Sequence, residues 1–84
     1  MYELYVERRA ERGLRRLSKH DFVRVVAGIK GLAENPRPAG CRKIAESASD
    51  WRIRVGDYRI IYQVDDKAKA VRVMHVRHRS EAYR

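Results

Sequence analysis

The fold is decided by the stretch Trp51-Arg52-Ile53-Arg54-Val55-Gly56-Asp57-Tyr58-Arg59-Ile60-Ile61-Tyr62. A Gly-Asp pair between two runs of alternating side chains is typical of a two-residue β-hairpin turn. If this pair forms the turn, the residues on its two sides pair across the hairpin. Val55 then lies opposite Tyr58, and the pairing continues to Trp51 opposite Tyr62. We therefore predict a hairpin over residues 51–64.

This pairing divides the hairpin into an apolar and a basic face, because successive side chains of a strand point to opposite faces. The apolar face carries Trp51, Ile53, Val55, Tyr58, Ile60 and Tyr62. The basic face carries Arg52, Arg54 and Arg59, and it sets Arg54 directly opposite Arg59. Like charges in opposite positions destabilise a sheet. The arrangement therefore indicates a site that holds a polyanion.

The composition supports an anionic partner. The 84 residues make one small domain, residues 1–84, with a formal net charge of +9, 15 arginines and 5 lysines. Nucleic acid is the first candidate for a chain this basic, and the planar guanidinium fork suits phosphate. The alternative is a basic solvated surface that an acidic partner neutralises. That alternative does not account for a one-sided arginine face.

Several classes of protein are disfavoured by what the sequence lacks. Cys41 is the single cysteine, so no intramolecular disulfide can form, and no Cys or His spacing suggests a metal site. No apolar run approaches the roughly 18 residues of a membrane span, and the N-terminus does not resemble a signal peptide. We expect a cytoplasmic protein that uses no metal or other cofactor.

Two short helices are predicted before the hairpin. The first covers residues 7–17, although Gly13 costs about 1 kcal/mol relative to Ala inside a helix. The second follows a capping-box-like start at Ser18 and ends near Glu34, before an Asn-Pro pair. Their apolar stripes comprise Ala10, Leu14 and Leu17 in the first helix and Phe22, Val25, Val26, Ile29, Leu32 and Ala33 in the second. We expect an antiparallel helix pair that packs on another layer.

The remaining segments complete an α+β fold. Residues 2–6, 41–44 and 71–76 are predicted strands, and residues 77–84 form a tail. The element order is β-α-α-β-β-β-β, with the helical hairpin packed on one face of a small, mainly antiparallel sheet. The apolar face of the central hairpin then covers the helices. Its arginine face is left open, with Asp65 and Asp66 outside it.

The central hairpin and the closing segment His78-Arg79-Ser80-Glu81-Ala82-Tyr83-Arg84 resemble the RelE/ParE superfamily of type II toxins, and more closely its RelE branch. The resemblance covers nearly the whole chain. It implies a RelE-like fold and a small cytoplasmic protein that binds the ribosomal A site and cleaves mRNA there without a metal. It also implies two kinds of partner: the ribosome with its RNA and mRNA, and a co-expressed antitoxin that covers the helical hairpin or the arginine face.

The resemblance also implies roles for individual residues. Arg59 and Arg77 would contact the scissile phosphate, while Arg52 and Arg54 would position the RNA backbone. Tyr83 would stack on a base or transfer a proton. Positions 52 and 54 are often lysine in relatives, and a desolvated lysine can act as a base whereas arginine stays protonated.

The proton acceptor is accordingly open between Tyr83 and His78. His75 lies in an apolar strand and is predicted to be a packed histidine. Further RNA contacts are expected at the rim of the site, from Arg42, Lys43, His78 and Arg79.

Two other functions remain open on the same fold. One is a ParE-like protein that poisons DNA gyrase without cleaving RNA. The other is an inert regulatory partner that acts only with its antitoxin. A stripe of arginines on the first helix is either a solvated face or a docking surface for ribosomal RNA; it consists of Arg8, Arg9, Arg12, Arg15 and Arg16.

Overall fold

The computed structural model describes residues 1–45 and 49–80, and these form two helices and a five-stranded sheet. The helices are α1 (Arg8–Arg15) and α2 (Lys19–Glu34), and the strands are β1 (Glu3–Val6), β2 (Arg42–Lys43), β3 (Asp50–Val55), β4 (Tyr58–Asp65) and β5 (Ala70–His78). The strand order is β1-β5-β4-β3-β2, with β1 parallel to β5 and the other neighbours antiparallel. The predicted α+β fold and element order are confirmed. None of the helices in the described ranges is long and apolar enough to cross a membrane.

The central hairpin has the predicted register. Val55 lies opposite Tyr58, and the pairing runs without a shift to Trp51 opposite Tyr62 and one pair further. Gly56 has a φ of +57° at the first turn position, a conformation that glycine adopts without steric cost. The predicted division of the hairpin into two faces follows directly from this register.

The core lies between α2 and the apolar face of the sheet. Its fully buried larger side chains are Val25, Leu32, Ile60, Tyr62, Val71 and Val73. Trp51, Cys41 and Tyr58 pack against this cluster while staying half-buried. Phe22 is 42% exposed, so its predicted place in the apolar stripe of α2 is wrong. The buried positions of α2 begin one turn later, at Val25, because the first turn lies outside the core.

The first helix depends on Gly13. A Cβ built at this position would lie 2.6 Å from the carbonyl oxygen of Val76 and 3.2 Å from the Val76 Cβ. Real Cβ atoms do not approach a carbonyl oxygen this closely, so only glycine lets α1 lie against β5. The contact falls beyond residue 73, the last β5 position that pairs with β1. α1 therefore packs against β5 where β1 has ended.

Residues 35–41 are held against the sheet by two contacts of different kinds. The buried Tyr62 hydroxyl donates a hydrogen bond to the Pro36 carbonyl oxygen (2.7 Å), and burial raises the pKa of Tyr62. The Arg37 guanidinium binds both carboxylate oxygens of Asp66 (2.8 and 3.2 Å) and lies over the Trp51 ring, 5.1 Å from its centroid. These contacts fix the chain immediately before β2, which borders the arginine face.

A β-bulge interrupts the pairing of β4 with β5. Ile61 lies opposite His75, whereas the next residue, Tyr62, lies opposite Val73, so Met74 is an extra residue on β5. An extra residue shifts the alternation of a strand by one position. Val73 faces the core before the bulge, and Val76 faces the core after it. Strand β5 also continues to His78, two residues beyond its predicted end.

Candidate functional site

Three arginines from three neighbouring strands lie in one row. Arg59 of β4 is directly opposite Arg54 of β3 on one side and Arg77 of β5 on the other. Side chains in opposite positions of a sheet share a face, with Cβ atoms about 5 Å apart. The central hairpin and the last strand therefore bring together three of the predicted site residues. Such a row is unfavourable for the fold unless an anion binds to it.

A second row lies beside the first on the same face. Arg52 is opposite Arg42 of β2 on one side and Ile61 of β4 on the other, and Ile61 in turn is opposite His75. This row is basic at the β2 edge of the sheet and apolar in the middle. Its fourth strand, β5, contributes the imidazole of His75.

Three adjoining depressions cover this face, and Arg59 lines all of them. The first depression is also lined by Gly40, Arg42, Arg52, Ile53 and Arg54. The second is also lined by Arg54, Gly56, Asp57 and Arg79. The third is also lined by Lys43, Ile44, Ala45, Arg52, Ile61 and Arg77. We call the basic residues of these depressions the basic surface: Arg42, Lys43, Arg52, Arg54, Arg59, Arg77 and Arg79. Arg59 is at its centre.

Two members of the basic surface lie at its rim. The register of the edge strand β2 sets Lys43 opposite Trp51, yet Lys43 is exposed and still borders the depression that holds Arg59. Arg79 follows β5, and its backbone N–H donates to the carbonyl oxygen of Asp57 in the hairpin turn (2.7 Å). Both residues border the depressions that Arg59 lines, and their contacts with RNA remain a prediction.

Three ion pairs of the described residues lie away from the basic surface. They join Glu11 to Arg15 (2.8 Å), Asp66 to Arg37 (2.8 Å) and Glu7 to Arg72 (3.7 Å). As expected from the sequence, Asp65 and Asp66 lie at the end of β4 farthest from the turn, whereas the arginine row lies next to the turn. The carboxylates of Glu7, Glu11 and Asp66 are therefore engaged outside the basic surface.

His78, which was predicted as an RNA contact, lies on the side of the sheet opposite the arginine row. His78 is opposite Tyr58, which lies on the helix-facing side of the hairpin, and their rings form an edge-to-face contact with centroids 5.3 Å apart. The backbone N–H of Ser80 donates to His78 Nδ1 (3.2 Å). The bulge at Met74 causes the difference, because it moves Arg77, and not His78, to the basic side.

The same bulge moves His75 to the basic side of the sheet. His75 is half-buried, and its Nε2 lies 3.3 Å from Nη1 of Arg9 on α1. Burial, together with the nearby positive charges of Arg77 and Arg9, lowers the pKa of this imidazole below 6.5. The half-burial of His75 agrees with the prediction of a packed histidine, and the bulge places it on the basic side.

Tyr83 lies outside the described ranges 1–45 and 49–80. Its implied role in stacking or proton transfer therefore remains a prediction.

The comparison with known families decides the identity. A family model described as "ParE toxin of type II toxin-antitoxin system, parDE" matches residues 4–83 of this chain. The chain belongs to this RelE/ParE toxin family. It is therefore a toxin of the type II toxin–antitoxin class, as the sequence motifs suggested.

Individual relatives of this toxin bear RelE names. The protein named Toxin RelE from Mycobacterium tuberculosis is 31% identical over 84 residues, covering 99% of this chain and 87% of the relative. The archaeal RelE–RelB complex from Pyrococcus horikoshii matches with a TM-score of 0.83 at 25% identity, over 93% of this chain and 94% of the other. The isolated Escherichia coli RelE toxin matches with a TM-score of 0.81 at 28% identity, over 99% and 92%. The RelE-like fold is thereby confirmed.

Sequence reasoning missed some apolar and small residues of the site in this toxin. Ile61 lines the depression that holds Arg59 and Arg77, and its position opposite Arg52 was already implicit in the predicted hairpin. Gly40 borders Arg42 and Arg52 from the loop before β2. No sequence signal marks Gly40, because it reaches the site through the packing of residues 35–41 on the sheet.

The arginines of the α1 stripe are exposed, and they differ in their contacts. Arg15 pairs with Glu11 within the helix, an arrangement typical of a solvated face. Arg9 instead reaches His75 next to the basic surface. Both interpretations of the stripe therefore stay open for this toxin, with Arg9 as the member nearest to the site.

Proposed function

We propose that this toxin is a ribosome-dependent endoribonuclease that cleaves mRNA in the A site by attack of the 2′-OH, without a metal. The observation that carries the proposal is the row of Arg54, Arg59 and Arg77 across three strands. An anionic ligand that spans several strands offsets the mutual repulsion of these side chains. A polynucleotide backbone has this character.

The proposed chemistry needs positive charge where the phosphate becomes pentacoordinate. Arg59 and Arg77 are assigned to the scissile phosphate, since guanidinium groups form paired hydrogen bonds with phosphate oxygens. Arg52 and Arg54 would hold the adjoining backbone, and Arg42, Lys43 and Arg79 would contact RNA farther along the basic surface. Tyr83 is proposed to stack on a base or to transfer a proton.

The RelE names of the relatives support cleavage of RNA over other activities of this fold. Structures such as the Pyrococcus RelE–RelB complex also support an antitoxin as a partner of this chain. An acidic segment that folds on binding would be attracted to the basic surface and to a chain of net charge +9. The antitoxin and the mRNA would then compete for one surface.

Primer extension on a defined mRNA tests the proposal, with purified toxin and with or without programmed ribosomes. We expect cuts within the A-site codon when ribosomes are present, with 5′-OH and 2′,3′-cyclic phosphate ends. A 2′-O-methyl group on the nucleotide before the cut should block cleavage, because it removes the nucleophile. Cleavage of the methylated mRNA would contradict 2′-OH attack.

Two variants test the site. Arg59→Ala and Tyr83→Ala should each abolish cleavage and toxicity while the thermal unfolding transition remains cooperative. Lys67→Ala, in the exposed turn between β4 and β5, removes one positive charge far from the arginine row and serves as the control. Unchanged toxicity of both site variants would contradict the assignment.

A gyrase poison is the second candidate, because the matching family model describes a ParE toxin. This function would act by binding and would leave mRNA intact. Gyrase-dependent DNA breaks on expression, together with uncut mRNA, would favour it. If expression of the protein had no effect on growth, the third function would be favoured, an inert regulatory partner that acts only with its antitoxin.

A further inference from the structure

The proposed reaction needs a group that takes the proton of the 2′-OH. The arginines of the basic surface cannot do this, because a guanidinium stays protonated at any working pH. His78 lies on the other side of the sheet, against Tyr58. Among the described residues 1–45 and 49–80, His75 is the histidine on the face of the sheet that carries Arg59 and Arg77.

The bulge sets the position of His75. It places His75 and Arg77 on one face, two residues apart and so about 7 Å along the strand. Arg59 is opposite Arg77 and diagonal to His75 across β4. A phosphate between Arg59 and Arg77 would bring its preceding ribose within reach of a side chain one row away. His75 is thus one row away from a phosphate that Arg59 and Arg77 would hold.

The contact with Arg9 defines the chemical state of the ring. A guanidinium can only donate, so His75 Nε2 accepts the 3.3 Å hydrogen bond and Nδ1 carries the proton. The charged groups around the ring are Arg9 from α1, Arg77 from β5 and, diagonally, Arg59 from β4; Ile61 is directly opposite. Their charge and the partial burial lower the pKa of His75, which favours the neutral ring that a base requires.

We propose that His75 is the general base of this toxin and that Arg9 controls its availability. The inference rests on the proposed endonuclease function and deepens it. When RNA binds, a phosphate oxygen is a stronger acceptor for Arg9 than a neutral imidazole, because both partners are charged. Arg9 then turns to the phosphate, and Nε2 is free to accept a proton.

The step balances without another reactant. His75 Nε2 takes the proton of the 2′-OH while the 2′-oxygen forms a bond to phosphorus. The bond from phosphorus to the 5′-oxygen breaks, and the 5′-oxygen leaves with the electron pair and takes a proton from water. The products are a 2′,3′-cyclic phosphate and a 5′-OH, and the imidazolium returns its proton to the hydroxide left by that water.

The test is the pH dependence of single-turnover cleavage on programmed ribosomes, measured for the wild type and His75→Gln between pH 5.5 and 8.5. Glutamine can still accept the hydrogen bond from Arg9 but cannot take a proton. We expect the wild-type rate to level off above the pKa of the base and to fall tenfold per pH unit beneath it. His75→Gln should be slower by about 10²- to 10⁴-fold and lose this dependence.

His20→Gln is the matched control, because His20 is exposed on α2 and takes no part in the site. It should keep the wild-type rate and profile. Cooperative unfolding and wild-type ribosome affinity of His75→Gln would exclude a folding defect as the cause of its slow rate. Tyr83→Phe should retain the acid limb, since that limb belongs to His75.

The outcomes separate the two proposals. Wild-type cleavage with an unchanged rate and profile in His75→Gln would overturn the role of His75 and leave the endonuclease proposal standing. A rate that rises continuously to pH 8.5 would also overturn it, because a tyrosine would then be the better candidate base. A wild-type toxin that cuts nothing on ribosomes would overturn both.

Discussion

Arg59 has a like charge on each side in the sheet, Arg54 on β3 and Arg77 on β5. It is half-buried, whereas its two neighbours are exposed, so it has less freedom to turn away from them. Two like charges that face each other on neighbouring strands lower the stability of a sheet by roughly 0.2–1 kcal/mol. Each like-charge pair of this row is therefore expected to lower the stability of the fold.

Replacing one arginine of the row should therefore stabilise the fold. We expect Arg54→Gln to raise the free energy of unfolding by roughly 0.2–1 kcal/mol at low salt, because it removes one like-charge pair. The gain should shrink in 1 M NaCl, where charges are screened within about 3 Å. Urea unfolding at both salt concentrations measures the effect.

Arg12→Gln is the control for this prediction. It lowers the net charge by the same amount, but it lies on the exposed face of α1, away from the arginine row. An equal gain in both variants would show that the net charge matters, and not the row. The same Arg54→Gln variant should cleave mRNA more slowly.

At the scale of elements, α1 and β5 set the geometry of the site. α1 packs against β5 beyond the end of β1, and the bulge in β5 turns His75 and Arg77 towards the basic surface. Arg9 reaches His75 because α1 lies so close to that strand. The close packing depends on the missing side chain of Gly13.

Gly13→Ala should destabilise the protein although alanine is the better helix former. The new Cβ would lie 2.6 Å from the Val76 carbonyl oxygen. The steric cost of this contact should exceed the gain of about 1 kcal/mol in helix propensity. Gly31→Ala is the control, because no atom lies within 4 Å of a Cβ there. It should stabilise the fold by about 0.5–1 kcal/mol. Equal shifts of Tm in both variants would contradict this account.

The link between residues 35–41 and the β4–β5 turn gives a dependence on pH. Hydrogen bonds from Arg37 and from the Tyr2 hydroxyl (2.6 Å) lower the pKa of Asp66 from 3.8 to about 2. The stabilisation by ionised Asp66 is complete above pH 3.8 and is lost as the pH falls towards 2. Asp66→Asn should thus be less stable than the wild type at pH 7.

Urea unfolding between pH 2 and 7 measures this difference. The unfolding free energies of wild type and Asp66→Asn should converge between pH 4 and pH 2. In the background of Arg37→Gln, the difference at pH 7 should shrink, since the main partner of the carboxylate is gone. A constant difference at all pH values would contradict an electrostatic origin.

At the scale of the whole molecule, the sheet separates two tasks. One side packs against the helices and supplies the core, while the other carries the basic surface and a large share of the charge of +9. The acidic residues Glu11 and Asp66 form ion pairs elsewhere. The resulting field is expected to attract polyanions.

RNA binding by the whole molecule should depend strongly on salt. For a short 2′-O-methylated RNA, which is not cleaved, the logarithm of the binding constant should fall linearly with the logarithm of the salt concentration. Arg54→Gln should reduce the slope by about 0.7, the value for one phosphate contact on a single strand. Lys67→Gln should leave the slope unchanged. Equal slopes for wild type and Arg54→Gln would show that this arginine contacts no phosphate.

The sequence by itself determined the hairpin, its register and its two faces, because a Gly-Asp turn between two alternating segments favours this pairing. It also determined the element order, since caps, apolar stripes and an Asn-Pro pair mark the helix ends. The positions of Arg52, Arg54 and Arg59 followed from these local rules.

Only the tertiary structure decided which residues of the last strand join them. Strict alternation from Val73 would have set His75 and Arg77 towards the core, and the bulge at Met74 reversed this. The bulge lies where β5 packs against both β4 and α1, and α1 is distant from β5 in sequence. For the same reason His78 faces Tyr58, Arg9 meets His75, and Gly13 fits where a larger residue would not.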